Sequence, residues 1–272
     1  EEVKITLGKA SIETGRFAFQ SIEAATKDLA EGLVDVMVTA PINKKSIQDA
    51  GFKFPGHTEF LTQYSNAEEA LMFMVSENLR VGVVSGHVPL KDVPSDISKE
   101  KIIRKTELMI QSLQKDFGIE RPKIAVLGLN PHAGDEGALG NEEKDIIKPA
   151  IAELNQKNHL VFGPYGADGF FGTVQQNHFD GVLAMYHDQG LIPFKALAFQ
   201  TGVNFTAGLP IVRTSPAHGT AFHIAGKDEA DPQSLLSSIY AAIDIYETRK
   251  KIKEWTANPL KKQRVSRSDS DN

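Results

Sequence analysis

The chain contains no cysteine. That excludes disulfides, thiolate metal sites and cysteine nucleophiles, and leaves His, Asp and Glu as the side chains able to hold a metal. Long apolar runs are missing too: none approaches the roughly 20 residues that span a bilayer, and the opening Glu1-Glu2-Val3-Lys4 does not read as a secretory signal. Basic charge is not in surplus. Against 35 Asp and Glu stand 30 Lys and Arg, a formal net charge of -5 with no basic stripe before the tail, which argues against a nucleic-acid partner. No Gly-x-Gly-x-x-Gly lies between a strand and a helix in the required context, so a conventional Rossmann cofactor site is not supported. Together these absences predict a cytoplasmic globular protein without membrane or nucleic-acid partners.

With 272 residues, 41% of them hydrophobic, the chain can bury a substantial core, and one large domain or two lobes both fit. Apolar spacing predicts a helix over 11–31 stopped by Gly32, then a strand over 33–40 closed by Pro41, with Thr39, Asn43, Lys44 and Lys45 at its carboxyl end. A loop rich in Gly and Phe over 51–60 leads into a short helix over 59–67. Residues 71–75 and 80–85 read as an antiparallel hairpin turning at Glu77-Asn78. The clearest amphipathic helix covers 96–117, with Ser98 as N-cap and Gly118 as stop. A strand over 124–129, a helix over 141–156, a short strand at 160–162, the apolar run 181–186, an extended stretch over 205–214 and a terminal helix over 232–254 complete the pattern. Such alternation predicts an α/β fold whose mainly parallel sheet is covered by helices. Residues 258–272 are polar and expected to be disordered.

Three apolar runs each deliver a histidine: His87 after 81–86, His132 after 123–131 and His187 after 181–186. A single histidine at a strand end is more often a hydrogen-bonded loop residue than a ligand. Three in equivalent positions, in a chain without cysteine, fit a three-ligand catalytic metal site that leaves coordination positions open. His159 and His178 lie near turns and read as surface residues. The glycine-rich segment 130–140 could bring backbone amides to an anion, or serve only as a tight connection. Lys195, Asn204 and Arg213 follow the third histidine among glycines and prolines, and a guanidinium at Arg213 could clamp a phosphate or carboxylate or stand exposed. His218-Gly219-Thr220-Ala221, with Ala225-Gly226-Lys227 beyond it, could pack backbone against a flat ligand or be a plain loop.

Taken together, Gly56-His57-Thr58-Glu59-Phe60, the His87-x-Pro89-Leu90 turn, Leu129-Asn130-Pro131-His132-Ala133-Gly134, Ala167-Asp168, Met185-Tyr186-His187-Asp188-Gln189-Gly190, and Arg213-Thr214-Ser215 leading to His218-Gly219-Thr220-Ala221 resemble the 4-hydroxythreonine-4-phosphate dehydrogenases of pyridoxal phosphate biosynthesis. The likeness runs to about Tyr246. It implies a two-lobed α/β fold like that of isocitrate and isopropylmalate dehydrogenases over 1–257. It also implies a divalent metal (Zn, Mg or Co) on His87, His132 and His187, in a site completed across a homodimer interface. Substrate contacts are implied from His57, Thr58, Lys195, Asn204 and Arg213, and NAD or NADP is expected against the loop of His218, Gly219, Thr220 and Ala221. Asp168 is the expected proton acceptor, with Lys195 as a second catalytic group. Family members usually open with a strand and a Gly-Asp-Pro-Ala-Gly-Ile-Gly-Pro-Glu type of segment that does not precede Glu1, so the chain is expected to lack that part of one lobe. His223 stands where an acid is common.

The implied reaction oxidises the C3 hydroxyl of 4-phosphohydroxy-L-threonine with NAD(P)+ to a β-keto acid that loses CO2. Within the family, threonate or erythronate 4-phosphate is the rival substrate. Outside it, an acyltransferase related to phosphate acetyl- or butyryltransferases, or a non-catalytic phosphometabolite-binding protein, would need no three-histidine site. The simplest division of the site between subunits pairs His87 with His132 in one chain and takes His187 from the other.

Overall fold

The computed structural model describes residues 6–260; the expectation of disorder over 261–272 lies outside the described residues. The helices are α1 (Ile12–Ala30), α2 (Lys44–Asp49), α3 (His57–Tyr64), α4 (Val93–Asp96), α5 (Lys99–Phe117), α6 (Lys148–Gln156), α7 (Ala167–Gly172), α8 (His187–Ala198) and α9 (Gln233–Thr256). The strands are β1 (Met37–Val38), β2 (Leu71–Val75), β3 (Arg80–Ser85), β4 (Lys123–Leu127), β5 (Leu160–Tyr165), β6 (Gly181–Tyr186), β7 (Val203–Ala207) and β8 (Arg213–Pro216). They form one sheet in the order β1-β8-β7-β2-β3-β6-β4-β5. Pairing is parallel along β3-β6-β4-β5 and between β1 and β8. It is antiparallel along β3-β2-β7-β8.

Both faces of the central strands are buried, which is why their sequences read as continuous apolar runs rather than alternating ones. In β4, Ile124 and Val126 enter the cluster shared with α5, α6 and α9, while Ala125 and Leu127 enter the one beneath α7 and α8. Along β6, Leu183 and Met185 alternate with Val182 and Ala184 in the same way. A third cluster joins α1, Ile47 of α2, and Phe60 and Leu61 of α3 to Met37 and Leu209. Its aromatic part, Phe19 against Phe52 at 5.2 Å and Phe54 against Phe60 at 5.3 Å between ring centres, anchors the Gly- and Phe-rich loop and so sets the start of α3. Gly15 lets α1 lie directly on the backbone of Ser46, which a Cβ there would overlap.

Helix α5 behaves as its caps predict: the Ser98 hydroxyl accepts from the Lys101 N–H at 3.2 Å, and Gly118 closes the helix at φ 69°. The hairpin turns where expected. Elsewhere the structure departs from the sequence reading. The strand expected over 33–40 is reduced to Met37–Val38, because only that pair meets the ladder of β8. The single extended stretch over 205–214 is two antiparallel strands, β7 and β8, separated by a turn at Gly208 (φ 89°). The helix expected from 59 begins at His57. Helix α8 was not anticipated, since Pro193 lies inside it. No helix among the described residues is long and apolar enough to cross a membrane.

Candidate functional site

Strands β3 and β6 are parallel neighbours with Ser85 opposite Tyr186. His87 follows one strand end and His187 the other, so the ladder itself delivers the two imidazoles to one edge, with ring centres 5.9 Å apart. Each ring has a carboxylate neighbour. His187 Nδ1 shares a 2.7 Å hydrogen bond with Asp188 Oδ1, and His87 Nδ1 lies 4.0 Å from Glu59 Oε1. A hydrogen bond like that of Asp188 fixes a ring and frees its other nitrogen for a ligand, while Glu59 stands beyond hydrogen-bond distance of His87. Burial, followed by the nearby Lys44, holds the His87 pKa below its ordinary value, which favours the neutral, metal-ligating imidazole.

Beside the pair opens a cavity of about 260 Å³, spread over the face of β2, β7 and β8 and closed by α3 and α8. Met74, Asn204 and Ser215 form one cross-strand row in its floor. His57, Thr58 and Glu59 enter from α3, and Lys195 from α8; Lys44, Arg213, His218 and Gly219 complete its polar lining. Glu59 is the one carboxylate among these lining residues, against the three cations Lys44, Lys195 and Arg213. The strongest anion-seeking group is Arg213, 3% exposed, whose hydrogen bonds go to hydroxyls: Nε and Nη2 to Thr39 Oγ1 at 3.0 and 2.6 Å, and Nη1 to Thr206 Oγ1 at 3.2 Å. Burial lowers its pKa to about 10, which leaves it cationic at neutral pH. Arg213 opens β8 rather than lying near the end of one extended stretch over 205–214. Because β8 runs against β7, its amino end reaches the site.

His57 is held neutral, its pKa pushed down to about 3 by burial and then by Arg213. The unfolded imidazole, near 6.5, takes a proton that the folded one refuses. The resulting stability is therefore complete above about pH 6.5 and is lost as pH falls toward 3. Urea midpoints are expected to drop between pH 7 and pH 5, and His57→Gln should remove about 2 kcal/mol of that drop. An unchanged slope in the variant would mean His57 is not the group responsible.

His132 does not join the other two histidines. It lines a separate cavity of about 370 Å³ with Asp168, Tyr165, Gly166 and Gln175. Among the described residues no group of three or more His, Asp or Glu is gathered to hold a metal ion. The pairing expected within one chain, His87 with His132, is therefore corrected to His87 with His187. The cause is local: after β4 the chain winds through a left-handed turn, with φ of 52° at His132, 52° at Ala133, 82° at Gly134, 44° at Asp135 and 53° at Glu136. At roughly 1–2 kcal/mol for each non-glycine residue, that conformation must be held by its surroundings. Asp168 and Lys195, paired in expectation as catalytic groups, lie in different cavities. Of the expected cofactor loop, His218 and Gly219 line the first cavity and Thr220 and Ala221 are not among its lining residues. Lys44 and Glu59 were not anticipated as site residues, although each stood in a segment already marked by its position at a strand end or in a motif.

A mainly parallel sheet with some antiparallel strands, covered on both faces by helices, is the isocitrate-dehydrogenase-like α/β fold, shared with the solved structures that match this chain. The model of the family described as pyridoxal phosphate biosynthetic protein PdxA matches residues 1–242. The 4-hydroxythreonine-4-phosphate dehydrogenase of Bacteroides thetaiotaomicron is 50% identical over 273 residues, covering 100% of this chain and 75% of that one. The crystal structure of the enzyme of that name from Klebsiella pneumoniae superposes with a TM-score of 0.77 at 39% identity, over 88% of this chain and 73% of that chain. A terephthalate 1,2-cis-dihydrodiol dehydrogenase from Burkholderia xenovorans follows the same fold at a TM-score of 0.64 and 28% identity, over 88% of this chain and 76% of that one. The chain belongs to the PdxA family. It is an oxidoreductase of pyridoxal phosphate biosynthesis, and such a dehydrogenase implies a nicotinamide cofactor and a metal.

Proposed function

We propose that this chain oxidises 4-phosphohydroxy-L-threonine with NAD(P)+ to 2-amino-3-oxo-4-phosphooxybutanoate, which decarboxylates to 3-amino-2-oxopropyl phosphate. The observation behind this reading is the buried guanidinium of Arg213, whose hydrogen bonds go to hydroxyls, in a cavity where it and Lys44 and Lys195 outnumber the single carboxylate of Glu59, a setting suited to a small substrate with two anionic groups. The side-by-side imidazoles of His87 and His187, each with a carboxylate neighbour, fit two ligands of a divalent ion, and His132 from a second subunit would be the third. When bound, that ion (Zn, Mg or Co) supplies Lewis-acid polarisation of a hydroxyl, and NAD or NADP against His218, Gly219, Thr220 and Ala221 supplies the hydride acceptor.

The side chains of this protein do the remaining work. Arg213, Lys44 and Lys195 hold the phosphate and carboxylate, fixing the direction in which the C3 hydroxyl points. His57, neutral at working pH, and Thr58 offer hydrogen bonds that orient the polar backbone of the substrate; Asn204 lies beside them. Asp168, arriving with His132 from the partner subunit, accepts the hydroxyl proton. The oxidised product is a β-keto acid, and its loss of CO2 needs only that the developing enolate be stabilised in place.

The test is absorbance at 340 nm with each nicotinamide cofactor, before and after chelation, on 4-phosphohydroxy-L-threonine and on threonate and erythronate 4-phosphates. Reduced cofactor should form fastest from the amino-acid phosphate, and only with metal restored. Faster turnover of a sugar-acid phosphate would transfer the assignment to that substrate. No reduction with any pair would refute it.

A further inference from the structure

The left-handed turn that bears His132 is built around one carboxylate. Glu143 is 2% exposed, and its partners are N–H groups. Its Oε1 accepts from the backbone N–H of Leu129 and of Asn130, both at 2.7 Å, and its Oε2 accepts from the Asn130 side-chain amide at 3.0 Å. That amide is held from its other side by Glu142 Oε2 at 2.7 Å. The carboxylate lies against Gly128 and Gly134, where a Cβ would come within 3.1 Å and 2.5 Å of its oxygens. Glu143 itself opens a π-helical stretch, Glu143–Ile147, leading into α6. Such wide turns are frequent at functional sites.

We infer that Glu143 is the positioning residue for His132. It touches neither of the two cavities described, yet it fixes the residues at which the chain leaves β4 and turns left-handed, and His132 begins that turn. A charged acceptor suits the task because its hydrogen bonds to N–H groups are stronger than those of a neutral one. Among the described residues, the buried acid Asp116 is explained by its 2.6 Å pair with Arg249, whereas the hydrogen bonds to Glu143 come from amide N–H groups. The catalytic consequence rests on the proposed metal site, whereas the anchoring of the turn does not.

Glu143→Gln and Glu143→Leu in the full chain test this by three readings. Amide exchange over 129–136 should rise at least tenfold in the glutamine variant, with residues 181–186 unchanged, because a neutral side chain of the same size sets its NH2 against that of Asn130. Labelling of the His132 ring by diethyl pyrocarbonate, followed by peptide mass, should change rate by threefold or more while His223 labels as before. Zinc affinity and kcat should fall about 10–100-fold. Unchanged exchange and labelling in a folded glutamine variant would overturn the inference. So would exchange that rises equally in 181–186. If the parent chain takes up no zinc, the metal reading fails and the exchange and labelling rates alone decide the role of Glu143.

Discussion

Arg213→Met is expected to give a protein at least as stable as the parent and nearly inactive. The guanidinium is buried and its hydrogen bonds go to the Thr39 and Thr206 hydroxyls, so the folded chain bears a desolvation cost that the field of Glu59 offsets only in part, the arginine's pKa still being lowered. An apolar side chain of similar volume removes the desolvation cost of the charge, and Glu59, 39% exposed, is left in contact with water rather than as an unpaired buried charge. Activity responds in the opposite direction. A substrate anion bound by a buried guanidinium draws on charge-assisted hydrogen bonds in a low-dielectric site, and losing them costs about 4 kcal/mol, roughly a thousandfold in kcat/KM. Thermal melts with and without inorganic phosphate, beside kinetics on the phosphorylated substrate, check both halves. A variant that melts well below the parent would mark Arg213 as structural, and one with unchanged kcat/KM would remove it from the site.

The second large effect concerns pairs of inactive variants. His87→Ala, His132→Ala and His187→Ala are each expected to lose metal and activity. Mixing is informative because His87 and His187 stand together in one chain while His132 stands apart. In a dimer formed from His87→Ala and His132→Ala chains, one site unites an intact histidine pair with an intact His132. Half of randomly assorted dimers are mixed and each has one good site, so activity should recover to about one quarter of the parent's. His187→Ala with His132→Ala should recover equally. His87→Ala with His187→Ala should recover nothing, since both damage the same half of the site. Recovery in that last mixture, or in none of the three after refolding together, would refute the shared site with this division.

Much of the architecture could be read from residue patterns. The helix capped by Ser98 and Gly118 and the hairpin of β2 and β3 are specified locally, by side chains within a few positions of one another. Helix α8 was not legible because its proline masks a segment that is held by tertiary burial of Leu191 and Phe194 rather than by propensity. The site divides along the same line. Histidines at strand ends were visible as candidates, since a buried run ending in a polar residue is a local signal. Which two of them meet was not, because it depends on β3 lying next to β6 and on a left-handed turn after β4. Lys44 and Glu59 were invisible as cavity residues for a similar reason: they arrive from α2 and α3, whose placement is fixed by the aromatic cluster around Phe52 and Phe60.

The pairing of Ser85 with Tyr186 has a consequence for how this chain can vary over time. Because successive strand residues face opposite ways, one residue gained or lost within β3 or β6 would turn every later side chain to the other face and move one histidine away from its mate. Substitutions that keep volume can accumulate in these strands, but length changes cannot. A residue inserted at a surface turn should leave the histidine pair in place, whereas one inserted between Val81 and Ser85 or between Val182 and Tyr186 should separate it.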